Sequence, residues 1–492
     1  MFQHRILKTV GLVIAVMAGM VLLASAADRP NIVWMFSDDH AYQAIGAYGG
    51  RFEKENLTPH IDSLARDGML FERAYVGNSI CAPSRATLLT GKHSHLNGKY
   101  DNRGGFNHDQ QQFQKILQKN GYQTAMIGKI HLSGAMQGFD YWEVLPGQGN
   151  YWNPSFITEK GKTQYKGQHS TKVITDRALN WLKTGRDGKK PFMLMVHYKA
   201  PHRRWEPNTE MKEKFKNRTF PEPDTLFDDY EGRGTAAHKQ DMSISKTMSI
   251  GRDLKAGAGP RKEELDKLKL EGKDLIRWKY QTYMKDYLAC IAGVDDNVGR
   301  ILEHLKKQGL DKNTIVMYSA DQGFYLGEHG WFDKRFMYKE SFRTPFIARW
   351  PGVIKPGSRN SDLVQNIDFA ETFLDMAGAP IPGDMQGKSL VPLMKGETPK
   401  DWRTSLYYHY YEYPAVHSVR KHEGVAGKRY KLIRFYGKDV PNSEEWEFFD
   451  LKTDPSEMKS GYNNPEYAGV IKDMKAELLR LRKFYKVPDN QR

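Results

Sequence analysis

The chain has 492 residues, enough for a large core and more than one domain, and carries a formal net charge of +15 with only two cysteines, Cys81 and Cys290. So few cysteines exclude a fold stapled by disulfides, and the basic balance suits either an acidic partner or a plain solvated surface. No nucleic-acid-binding motif accompanies that charge, and beyond the first 26 residues no run is long and apolar enough to cross a bilayer.

Residues 1–26 read as a secretory signal. Arg5 and Lys8 form a basic start, Val10 to Leu23 an apolar stretch, and Ala24-Ser25-Ala26 a small-residue cleavage site. The expected product is periplasmic or secreted, bacterial, with no stable membrane insertion. Cys290 falls within an apolar helical pattern and reads as core.

Five short apolar runs, at 32–36, 123–127, 192–196, 314–318 and 346–350, read as buried strands of a parallel sheet. Helical patterns alternate with them. One at 57–66 has Pro59 in its first turn, one at 111–120 ends at Gly121, one occupies 171–183, and the longest runs over 283–308 to Gly309. Strands alternating with helices predict an α/β fold over 27–375, with a large, mostly parallel central sheet and helices on both faces. Residues 203–280 break the rhythm with dense charge and scattered Pro and Gly, and are expected to be a long insertion over the sheet edge. From 376 to 492 the pattern changes to strands at 407–411, 430–435 and 447–451 and a helix at 466–485. This predicts a smaller C-terminal α+β subdomain with an antiparallel sheet.

Ligands of open α/β sheets bind beyond the carboxyl ends of the strands. Here the first strand runs into Ser37-Asp38-Asp39, the second into Gly128-Lys129-Ile130-His131, the third into His197 and then Ala200-Pro201-His202, and the fourth into Asp321-Gln322. Neighbouring carboxylates repel unless a cation or proton sits between them, and Asp38, Asp39, Asp321 and Gln322 offer only oxygens, as a hard divalent ion prefers. No Cys/His cluster has zinc spacing.

Residues 81–91, Cys-Ala-Pro-Ser-Arg-Ala-Thr-Leu-Leu-Thr-Gly, fill every defining position of a known signature. The stretch resembles that of type I, formylglycine-dependent sulfatases of the alkaline-phosphatase-like superfamily, in the style of bacterial glycan-acting members. Further likeness lies in Gly128-Lys129-x-His131, in Ala200-Pro201-His202, and in Leu326-Gly327-Glu328-His329-Gly330 followed by Lys334 and Glu340-Ser341-Phe342-Arg343-Thr344-Pro345.

The resemblance implies that a maturating enzyme oxidises Cys81 to formylglycine, whose geminal diol attacks sulfur. It implies Ca²⁺ at Asp38, Asp39, Asp321 and Gln322, with residue 81 in the same metal set. Gln322 departs from the asparagine frequent there. It further implies that Arg85 holds the diol, Lys129 and Lys334 neutralise the sulfate, His131 takes a proton as sulfate is expelled, and His202 protonates the leaving alcohol.

Pro83 starts a helix, which puts residue 81 where backbone N–H groups favour an anion. The expected substrate is a sulfated carbohydrate, with Arg203, Arg204, His417 and Arg420 as candidates to bind it. Arg203 and Arg204 follow His202 directly, and His417 and Arg420 belong to a C-terminal run rich in sugar-binding side chains that could equally be packing and surface charge. Other readings are a phosphodiesterase or phosphonate monoester hydrolase with the same nucleophile, a choline or aryl sulfatase, and a non-catalytic binder of anionic glycan. The motifs specify neither the sugar nor the number of subunits.

Overall fold

The computed structural model describes residues 29–489, so the segment read as an export signal lies outside the described residues. Its centre is a ten-stranded sheet in the order Ser358–Asn360, Met69–Phe71, Phe346–Arg349, Thr314–Ala320, Asn31–Ser37, Phe192–Tyr198, Gln123–Gly128, Tyr141–Val144, Ser155–Thr158 and Gly161–Gln164. Four of the expected strands lie side by side and parallel: Thr314–Ala320, Asn31–Ser37, Phe192–Tyr198 and Gln123–Gly128. The fifth, Phe346–Arg349, is antiparallel to both its neighbours, contrary to expectation. The chain between it and Thr314–Ala320 has no long crossover helix to carry it back to the far end of the sheet, so it re-enters from the same rim.

The central strands are apolar throughout because both faces are covered. Val33, Met35, Leu194, Val196 and Val316 pack against the helices Pro59–Arg66, Ser170–Asn180 and Gly272–Lys307. Ile32, Trp34, Met193, Met195, Ile315 and Met317 pack on the other side, against Cys81–Thr90, Phe113–Lys119 and Phe369–Met376. Each such side chain contributes about 1.5–3 kcal/mol when buried, enough to hold the strand register against slippage. That register pairs Ser37 with both Tyr198 and Ala320, and Gly128 with His197, so four strands end almost flush. Whatever follows them in sequence must share one rim.

The long helix starts at Gly272, eleven residues before the apolar pattern at 283, because its first turns are polar and largely solvated. Residues 203–280 contain three short helices, Thr209–Phe215, Thr235–Lys239 and Pro260–Leu268. The segment is anchored by buried Trp205, Phe215, Phe220, Leu226, Met242 and Ile244. It also reaches the loops around the rim, where Ile244 N–H donates to the Gly330 carbonyl and Asp241 N–H to that of His417.

The C-terminal sheet is antiparallel and has four strands, Leu406–Tyr410, His422–Ala426, Tyr430–Tyr436 and Glu444–Asp450. His422–Ala426 escaped the sequence reading because His422, Glu423 and Gly424 hide its apolar alternation. Gly424 is required there, since a β-carbon would lie 2.6 Å from the Leu432 carbonyl of the neighbouring strand. The helix Ala468–Phe484 covers one face of this sheet through Ile471, Leu478 and Leu481. The other face packs on Ile80, Tyr325, Trp331, Phe336 and Phe342, next to the rim of the large sheet.

Candidate active site

Cys81 is the first residue of the helix Cys81–Thr90, all ten residues of which are buried. Ile80 precedes it in extended conformation, and Gly91, at φ 64°, closes its far end by donating to the Thr87 carbonyl. At the near end the Ala82 N–H is capped by Asn102 Oδ1 at 3.0 Å. The thiol of Cys81 is fully buried, and burial pushes it up to about 12.

The flush strand ends bring the predicted acids around it. Ligand atoms of Asp38, Asp39, Cys81 and Asp321 all lie within 4.8 Å of one another. Asp39 adopts φ 64°, a conformation that non-glycine residues rarely hold. It is fixed there by its N–H on Asp321 Oδ1 at 3.0 Å and by the Tyr287 hydroxyl on its carbonyl at 2.6 Å. Gly128, at φ 113°, lets the next strand turn out of the sheet: a β-carbon there would lie 1.9 Å from the His197 carbonyl, which accepts from Lys129 N–H.

Cations from three segments meet these acids. Arg85 donates through Nε to Asp321 Oδ2 at 3.1 Å and through its guanidinium to the Lys129 carbonyl at 2.5 Å. Lys129 pairs with Asp38 and with Gln148, a residue no motif pointed to. Lys334 pairs with Asp39 and approaches Cys81 Sγ at 3.2 Å.

Burial raises the Asp39 carboxyl to about 7 even though Lys334 opposes it. Burial also acts to raise Asp321, but Arg85 with Lys334 and Lys129 more than offsets this and holds it low. Lys129 is pushed well below the usual lysine range by burial and then by Lys199. For Lys334 burial is outweighed by Asp39 and Cys81, and the net shift is upward.

Asp38 Oδ1, Asp39 Oδ2 and Gln322 Oε1 are buried and accept no hydrogen bond. Gln322 turns its amide nitrogen onto Asp39, which leaves its oxygen free. Buried acceptors without donors are costly, and an all-oxygen set with two adjacent carboxylates suits a hard divalent cation such as Ca²⁺. The residues present therefore fit calcium.

Residues 30–379 match the family model "Sulfatase", and 327–484 match "N-sulphoglucosamine sulphohydrolase, C-terminal". An N-acetylglucosamine-6-O-sulfatase of Bacteroides thetaiotaomicron is 48% identical over 497 residues, covering 94% of this chain and 88% of that enzyme. The chain belongs to the sulfatase family. Human N-acetylglucosamine-6-sulfatase is 28% identical over 418 residues, 80% of this chain and 69% of its own. A solved complex with D-glucosamine-2-N,6-O-disulfate superposes with a TM-score of 0.89 at 47% identity, over 94% of this chain and 99% of that one. The phosphonate monoester hydrolase of Agrobacterium radiobacter, at 19% identity and a TM-score of 0.70 over 93% of this chain and 96% of that one, shares the fold. The protein is a sulfatase with the alkaline-phosphatase-like architecture.

In this sulfatase His131 and His202 flank the cluster. His131 is held at φ 55° with a buried, unpartnered Nδ1. Burial, followed by Lys129 and Arg85, lowers it to about 2, so its imidazole is neutral. The Nδ1 of His202 bonds the Arg203 carbonyl, and its Nε2 stands 3.8 Å from Asp39 Oδ2. Burial, followed by Lys129 and Lys334, lowers His202 well below the usual histidine range.

The four candidate substrate residues part company. Arg203 is held by Asp253 through Nε at 3.0 Å and Nη2 at 2.8 Å, and its Nη1 lies 3.1 Å from His417 Nε2. His417 Nε2 in turn lies 3.1 Å from Asp333 Oδ2, next to Lys334, so these two residues reach the rim as part of an ion network. Arg204 is exposed. Arg420 points away from the cluster, to Thr235 and to Glu445 at 3.9 Å. Its place on the approach to the strand His422–Ala426 decides this, and spacing alone did not reveal it.

Proposed function

We propose that this sulfatase removes the 6-O-sulfate of glucosamine units, N-acetylated or N-sulfated, in glycosaminoglycan-type sugars. The 48% identical relative is an N-acetylglucosamine-6-O-sulfatase, and the neighbour at TM-score 0.89 was solved with D-glucosamine-2-N,6-O-disulfate. The observation that carries the reading is the collection of Asp38, Asp39, Asp321, Gln322 and Lys129, from three strand exits, and of Lys334, just after Phe332–Asp333, around residue 81.

Formylglycine made from Cys81 by a maturating enzyme supplies the hydrated nucleophile, and bound Ca²⁺ supplies positive charge at the sulfate oxygens. The rest is work for the chain's own side chains. Lys334, at 3.2 Å from the position-81 side chain, and Lys129 flank the site of the incoming anion, and Arg85 braces Asp321 and the Lys129 carbonyl. His131 is neutral and can take a proton at a ring nitrogen as sulfate departs. His202 bonds a carbonyl through Nδ1–H, which leaves Nε2 as the atom that exchanges a proton with the leaving oxygen. Burial, followed by Lys129 and Lys334, disfavours its charged form in the free protein. The basic run at Arg5 and Lys8, the apolar stretch and Ala24-Ser25-Ala26 support export to the periplasm or beyond.

A sugar alkoxide is a poor leaving group and a nitrophenolate a good one, while general acid catalysis contributes roughly 10²–10⁴-fold where it is needed. His202→Ala is therefore expected to cripple release of sulfate from N-acetylglucosamine-6-sulfate but to slow nitrophenyl sulfate only mildly. Equal losses on both would assign His202 to sulfate binding or structure instead.

A further inference from the structure

Lys199 is a buried ammonium of the site whose contacts include no carboxylate. It is the first residue beyond the strand Phe192–Tyr198 and only 4% exposed, and no ion pair involves it among the described residues. Its Nζ lies over the face of the Tyr151 ring, 4.8 Å from the centroid. Burial lowers its basicity to about 8, and among the charges that oppose this Asp39 acts most strongly. An aliphatic side chain would fill this space without the desolvation cost of an ammonium, so the charge itself calls for an explanation.

The geometry supplies one. Tyr151 is buried, and its hydroxyl donates to the His202 carbonyl at 2.7 Å. The Lys199 carbonyl accepts from His202 N–H at 3.0 Å. His202 is thus held at its N–H by Lys199 and at its C=O by Tyr151, and the cation–π contact joins the two holders. A cation on the ring face withdraws density from the phenol and makes its O–H a stronger donor. Cys290, on the long helix, is a side-chain neighbour of the same phenol. The ring of His202 is fixed separately, by Nδ1 on the Arg203 carbonyl, so the backbone brace determines where Nε2 stands.

We infer that Lys199 and Tyr151 are a positioning pair for His202, with the ammonium acting through the phenol to place the Nε2 that serves the leaving oxygen. The inference rests on the reading of His202 as the proton donor. It predicts a defect that depends on the leaving group, as a merely structural role would not.

The test compares kcat/KM for N-acetylglucosamine-6-sulfate and for a series of aryl sulfates from nitrophenyl to phenyl, in Lys199→Met, Tyr151→Phe and His202→Ala. Thermal melting first establishes that each variant is folded, and should Lys199→Met fail to fold, Tyr151→Phe carries the comparison. Both positioning variants are expected to lose about 10-fold or more on the sugar, below the full general-acid effect, and less than about threefold on nitrophenyl sulfate. The dependence on leaving-group pKa should steepen in both, as in His202→Ala. Adding Lys199→Met to His202→Ala should cost nothing further on the sugar. A uniform loss across all substrates, or no loss, in Lys199→Met and Tyr151→Phe while His202→Ala steepens would overturn the pair alone. A flat dependence in His202→Ala would overturn the donor reading and this inference with it.

Discussion

Two buried charge clusters in this molecule are built from the same kinds of side chain and treated in opposite ways. In the C-terminal sheet, Glu423 accepts from Arg434 at 2.9 Å and from the Tyr407 hydroxyl at 3.0 Å, and pairs with Arg482. None of the side-chain polar atoms of Glu423, Arg434 or Arg482 is buried without a partner. At the strand exits, Asp38 Oδ1, Asp39 Oδ2, Gln322 Oε1 and His131 Nδ1 are buried without a hydrogen-bond partner. A fully paired cluster holds a sheet and a helix together. An under-paired one, assembled at the cost of desolvation, keeps polar atoms ready to bind a cation and an anion. Mutations should therefore divide activity from stability along this line.

The largest effect is expected from Cys81→Ala, which removes the residue that supplies the covalent step: sulfate release should fall to assay background with melting unchanged. Next come Asp38→Ala and Asp321→Ala. Each should lower activity by about 10²-fold or more and reduce bound calcium measured by elemental analysis. Full activity of metal-free protein would break the comparison at the strand exits.

Glu423→Ala should do the reverse. Leaving Arg482 and Arg434 without their buried partner costs about 3–5 kcal/mol, read as a lower denaturation midpoint, while turnover per folded molecule stays the same.

The smallest effect sharpens the contrast with pH. Burial, then Asp368, raises Glu371 to about 8, so its charged form is disfavoured in the fold. Its contribution to stability is complete below the pKa of the unfolded chain and is lost as pH rises toward 8. Glu371→Gln should flatten the decline in melting temperature between about pH 5 and 8. An unchanged slope would contradict this origin.

Much of this was legible in the sequence because long apolar runs and their polar exits are local signals. The four parallel strands and their exits, with Asp38, Lys129, His202 and Asp321, follow from runs that can only be buried on both faces. The direction of Phe346–Arg349 was not legible, because a strand's polarity depends on how the preceding loop returns, not on its own residues. Gln148 and Lys199 went unremarked for a related reason: a loop glutamine and a lysine at a strand end are ordinarily solvated, and only the tertiary fold brings Gln148 onto Lys129 and buries Lys199. Arg203 and His417 show the converse. Their residue types suggested a sugar, and the fold engages them with Asp253 and Asp333 at the rim.

The most direct test couples the mass of the peptide spanning residue 81 to turnover of N-acetylglucosamine-6-sulfate by the same calcium-loaded preparation. The account predicts a peptide lighter than the cysteine form and reactive toward carbonyl reagents, with sulfate release proportional to its fraction. An active preparation in which residue 81 is entirely the thiol would contradict it.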